Sequence, residues 1–105
     1  MYSLKNLNTS ADICELINQN IKLFNSFNNI YLFGSMLDVD KISNDIDLLL
    51  IYPEHSNEII NDVNIIYSAF ANWCEIPIDL TVLSVEEEKD TKFLKRLKSK
   101  YLKLK

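Results

Sequence analysis

From Thr9 onward the apolar residues Ile13, Leu16, Ile17, Phe24 and Phe27 fall at helical spacing, which predicts a first helix capped by Thr9 or Ser10. Asn28-Asn29 ends it, and the β-branched and aromatic run Ile30-Tyr31-Leu32-Phe33 predicts a short buried strand that stops at Gly34. Residues 35–44 are polar and leave room for one helical turn after Ser35. Asp45 to Tyr52 reads as a second strand closed by Pro53. Beyond a cap near Ser56, the residues Ile59, Ile60, Val63, Ile66, Tyr67, Phe70 and Cys74 share one helical face. Pro77 to Leu83 predicts a third strand. Ser84-Val85-Glu86-Glu87 has the spacing of a capping box, and a last helix follows with Phe93, Leu94, Leu97, Tyr101 and Leu104 on its buried side.

The predicted order is α, β, a short turn or helix, β, α, β, α. A helix between the second and third strands makes that pair parallel, because a parallel connection must cross over. The first two strands are joined too briefly for a crossover and are expected to run antiparallel. The fold class is therefore α/β (α+β), a small mixed sheet packed with helices. At 105 residues the chain is expected to form a single domain, 1–105, able to bury a core without a disulfide or metal staple.

Composition narrows the function. The longest aliphatic run, Leu48-Leu49-Leu50-Ile51, is far shorter than the ~18 residues of a membrane span, and Met1 to Lys5 has no secretory pattern. Two cysteines, Cys14 and Cys74, form no CxxC pair, so a reducing cytoplasm is the expected location. Residues 1–91 hold all fifteen acids and only four basic side chains; residues 92–105 hold the other seven basic side chains and no acid. An acidic body argues against direct nucleic-acid binding. The basic segment reads as the solvated face of the last helix, or as a surface that docks an acidic partner.

Three aspartates interrupt apolar strands, where carboxylates are costly. Asp45 and Asp47 alternate with Ile46 and Leu48 and so leave one face of the second strand, and Asp79 sits between Ile78 and Leu80 on the third. Neighbouring carboxylates repel and raise one another's pKa, a conflict that a divalent cation removes. An oxygen-only set suits Mg²⁺, and two such ions ~3.5–4 Å apart stabilise both the attacking and the leaving oxygen of a phosphoryl displacement. Gly34 is the one glycine of the chain, kept where a positive φ or a close approach is required.

Taken together, Tyr31-Leu32-Phe33-Gly34-Ser35, then Asn44-Asp45-Ile46-Asp47-Leu48-Leu49, then Ile78-Asp79-Leu80 resemble the DNA polymerase β-like nucleotidyltransferase superfamily over roughly residues 28–83. In size the chain is similar to the minimal nucleotidyltransferases, often encoded beside a helical partner of the HEPN class. The resemblance implies that Asp45, Asp47 and Asp79 hold Mg²⁺ and carry catalysis. It also implies that Gly34 and Ser35 receive the nucleotide phosphates, with Lys41 as the cation of the following loop. ATP is then the substrate, and AMP passes to a hydroxyl of a HEPN-type toxin ribonuclease, the chain acting as its antitoxin. Two other functions fit the same motifs: a weakly catalytic antitoxin that neutralises its partner by covering it, and transfer to a small molecule of the aminoglycoside type. The acidic loop Met36 to Lys41 departs from the family, whose members often carry an Arg and a second Gly there. His55 reads as a surface residue, Trp73 and Tyr67 as core, and Cys14 and Cys74 as thiols without chemistry.

Overall fold

A computed structural model describes residues 9–38 and 45–105. Helix α1 (Ser10–Gln19) starts where Thr9 Oγ1 accepts the Asp12 N–H at 3.1 Å. It stops earlier than its apolar spacing predicts. The Asn20 side-chain amide donates to the Leu16 carbonyl at 2.9 Å, and the chain tightens into a 3-10 turn, Ile21–Phe24. Ile13, Leu16, Ile17, Phe24 and Phe27 are nevertheless all buried, as predicted.

Strand β1 (Asn29–Phe33) is followed by a second 3-10 turn, Gly34–Leu37, and then β2 (Ile46–Tyr52), α2 (Asn57–Trp73) and β3 (Ile78–Ser84). β1 and β2 are antiparallel and β2 and β3 parallel, as expected. Both faces of the sheet are covered. Ile30, Leu32, Ile46, Leu48 and Leu50 pack with α1 and α2 on one side; Tyr31, Leu49 and Ile51 face Phe93, Leu94 and Tyr101 on the other. Burial on both sides is why β2 reads as a continuous apolar run.

Two expectations need correction. On α2 only Ile59, Ile66 and Phe70 are buried, while Ile60 (54 % exposed) and Tyr67 (39 %) stand outside the buried stripe. Tyr67 serves the sheet instead. β3 is an edge strand, and its Leu80 N–H donates to the Tyr67 hydroxyl at 3.2 Å.

The larger correction concerns residues 85–105, which do not form one helix. The Ser84–Glu87 capping box is present and starts α3 (Val85–Thr91). Lys92 then turns left-handed (φ 53°), a single turn α4 (Phe93–Arg96) follows, and Lys98 and Ser99 (φ 53° and 67°) reverse the chain into β4 (Tyr101–Lys103). β4 pairs antiparallel with β1, giving the strand order β3-β2-β1-β4. Left-handed non-glycine residues cost about 1–2 kcal/mol each. That cost is offset by closing the open edge of β1 and by edge-on ring contacts, Tyr31 with Tyr101 at 5.3 Å and Phe33 with Phe93 at 5.5 Å.

The segment after Ser99 is therefore not the solvated face of a helix but a strand anchored on β1. Lys105 Nζ donates to the carbonyls of Phe24 (3.1 Å) and Phe27 (2.7 Å), satisfying the end of the 3-10 turn. Lys105→Met should accordingly lower stability by about 1–2 kcal/mol in urea denaturation, the worth of charge-assisted hydrogen bonds lost at a half-buried site. An unchanged midpoint would mean that β4 alone anchors the C-terminal segment. Among the described residues no helix is long and apolar enough to cross a membrane.

Candidate metal and phosphate site

Strand register assembles the site. In the parallel β2–β3 pair, Asp47 and Asp79 are direct partners near the N-terminal ends of their strands. Asp45 lies two residues ahead of Asp47, so side-chain alternation sends all three carboxylates to the same face of the sheet. β1 runs the opposite way, which brings its last residue, Phe33, opposite Asp47. The chain therefore turns at Gly34 directly beside the carboxylates.

One oxygen from each of Asp45, Asp47 and Asp79 lies within 4.8 Å of the others. Asp45 and Asp47 are half-buried and Asp79 is exposed. Ligands to Mg²⁺ or Ca²⁺ stand about 2.0–2.6 Å from the ion, so a single cation can bridge a set of this spread. The donors are all hard oxygens, which fits such a cation. The acidic field registers on Asp47, whose carboxyl is pushed up to about 6, first by burial and then by the charges of Asp45 and Asp79.

Gly34 answers to two demands at once. Its φ of +84° is a conformation that side chains disfavour, and a Cβ there would run into the Asp47 carboxylate, with Cγ at 3.0 Å and Asp47 Cβ at 3.2 Å. The glycine thus lets the backbone press against the acidic cluster as it enters the 3-10 turn. Ser35, half-buried in that turn, accepts the Asp38 N–H through its carbonyl at 3.0 Å. Its hydroxyl lies one residue from the contact between Gly34 and Asp47.

The structure brings together five of the residues singled out from the sequence: Gly34, Ser35, Asp45, Asp47 and Asp79. Lys41 lies outside the described residues. His55 is exposed, its ring 6.4 Å from that of Tyr52. Cys14 is half-buried and Cys74 buried, both are free, and burial raises both thiols, which makes them poor nucleophiles.

Sequence reasoning missed a second wall. A groove of about 1040 Å³ has Gly34 and Ser35 on one side and the turn Arg96 to Lys100 on the other. The segregation of basic residues after Lys92 was the available signal. Read as part of one long helix, those residues had no route to the Gly34 turn.

No family model matches the chain, and no curated protein matches it. A solved structure of a candidate nucleotidyltransferase from Sulfolobus solfataricus is similar, at 22 % identity and a TM-score of 0.49, covering 87 % of this chain and 74 % of that one.

Proposed function

We propose that this chain is a Mg²⁺-dependent nucleotidyltransferase that moves AMP from ATP to a hydroxyl group. The observation that carries this reading is the contact between Gly34 and Asp47, with Asp45 and Asp79 close by. A turn without a side chain, pressed against clustered carboxylates, accommodates phosphates and a divalent cation together. It has no evident use in a purely structural site, where the acids would only repel.

Asp45, Asp47 and Asp79 would hold the cation, which when bound neutralises phosphate charge and polarises the reacting phosphate. Ser35 donates its hydroxyl to a phosphate oxygen, and the Gly34 backbone allows close approach. Asp79, the exposed member, takes the proton of the acceptor hydroxyl. The acceptor oxygen bonds to the α-phosphorus, the bond from that phosphorus to the bridging oxygen breaks, and pyrophosphate leaves with the electron pair.

The acceptor we favour is a HEPN-type toxin encoded beside this protein, with the chain acting as a single minimal domain in a reducing cytoplasm. The resemblance of the motifs to the DNA polymerase β-like superfamily, and of the chain in size to the minimal nucleotidyltransferases, supports this choice.

Incubation with ATP labelled on the α-phosphate, Mg²⁺ and such a partner should place label on the partner, and EDTA should prevent it. Asp45→Asn should reduce transfer by about a hundredfold or more, as expected when charge stabilisation at the reacting phosphate is removed. Label arriving from the γ-phosphate instead would indicate a kinase and overturn the proposal, as would no label from either position.

A further inference from the structure

We infer that the groove between the Gly34–Ser35 turn and the Arg96–Lys100 turn binds an oligophosphate, and that Arg96, Lys98 and Lys100 are its cationic wall. Its identification as the triphosphate of a nucleotide rests on the function proposed above; the binding of oligophosphate does not.

Topology places this wall. β4 is antiparallel to β1, with Tyr101 opposite Phe33. The residues that precede Tyr101 therefore lie beyond the same end of the sheet as the residues that follow Phe33. The basic turn and the Gly34 turn both line an open groove there of about 1040 Å³, ample for a nucleotide-sized ligand.

Charge selects the ligand. The described residues lining the groove include three cations, Arg96, Lys98 and Lys100, against one carboxylate, Asp38. The described chain from Thr9 to Thr91 offers only Lys22 and Lys89 as basic side chains besides His55, amid its many acids. Among the described residues, the basic turn is the cluster of cations that shares a groove with the Gly34–Ser35 turn. Gly34 joins the two regions, touching Asp47 on one side and lining the groove on the other. A chain of phosphates anchored beside the carboxylates would extend along Gly34 and Ser35 toward the basic wall.

The test is calorimetric titration with inorganic tripolyphosphate in Mg²⁺ buffer, comparing wild type with the triple variant Arg96→Gln, Lys98→Asn, Lys100→Gln. All three side chains are exposed, and asparagine tolerates the left-handed backbone at position 98. The triple variant should bind about tenfold or more weakly, the loss expected from charge-assisted contacts. Lys89→Gln and Lys103→Gln, which remove charge outside the groove, should change affinity by less than about twofold, because exposed distant charges are screened. No binding by wild type, or equal loss in the triple variant and the controls, would overturn the inference.

Transfer assays separate the two claims. Tripolyphosphate binding that depends on the three cations, without transfer of α-label, would uphold the groove and defeat the nucleotidyltransferase reading. Transfer with the same KM for ATP in wild type and the triple variant would defeat the groove and leave that reading standing.

Discussion

Asp47→Asn is expected to stabilise the metal-free protein at pH 7 while abolishing its response to Mg²⁺. In the folded state the Asp47 carboxyl is raised to about 6 by burial and by the charges of Asp45 and Asp79. In the unfolded chain an aspartate titrates near ~3.9. Because the folded value is the higher one, the folded protein holds the proton more tightly. The stability from this group is fully present below about pH 4 and is lost as pH rises through about 6. Asp47 is only half-buried, so after discounting for solvent screening the loss is on the order of 1 kcal/mol. That corresponds to about 4–8 °C in melting temperature for a domain of this size. The variant should therefore melt higher than wild type at pH 7, match it near pH 4, and lack the decline between. Adding Mg²⁺ should raise the melting temperature of wild type and not of the variant. A variant less stable than wild type at pH 7 would mean that Asp47 is held by a favourable partner and not strained by its neighbours.

Gly34→Ala should show the second large effect. The φ of +84° penalises any side chain by about 1–2 kcal/mol, and the new methyl group must also displace the Asp47 carboxylate. Together these should lower stability by about 2–4 kcal/mol in urea denaturation, within the range for substitutions at special backbone positions. The steric part is separable. In an Asp47→Ala background, Cγ and the carboxylate oxygens are gone, so Gly34→Ala should cost about 1 kcal/mol less than in wild type, a coupling typical of touching residues. An equal cost in both backgrounds would show that backbone conformation alone requires the glycine, and that Gly34 does not shape the carboxylate cluster.

The acidic site was legible in the sequence because each of its parts breaks a local rule. Asp47 and Asp79 interrupt apolar strands, and Gly34 is the chain's one glycine. Alternation along β2 fixed which side chains share a face, and the helix between β2 and β3 fixed their parallel pairing. The one-to-one register of Asp47 with Asp79 was not legible, since nothing in either strand specifies which residues align. The C-terminal segment misled for a different reason. Phe93, Leu94, Leu97, Tyr101 and Leu104 satisfy helical spacing, and no glycine or proline interrupts them. The breaks fall at Lys92, Lys98 and Ser99, whose left-handed conformations are imposed by pairing with the free edge of β1, a tertiary effect with no local signature. The same fold-back carries the basic turn to the Gly34 groove. At α2 the spacing was right but the stripe was read too wide, because Tyr67 faces the sheet edge with its hydroxyl and not the core with its ring.

Asp45, Asp47 and Asp79 are expected to form one divalent-cation site beside Gly34. Paramagnetic broadening by substoichiometric Mn²⁺ in an NMR spectrum of the labelled protein tests it most directly, because it locates the ion without assuming any activity. The amides of Gly34, Ser35, Asp47 and Asp79 should broaden first, and Asp47→Asn should remove the effect. The molecule supplies its own competitor in Glu86, Glu87 and Glu88, an acidic run on the first turn of α3. Broadening centred on that turn, or unchanged by Asp47→Asn, would contradict the site.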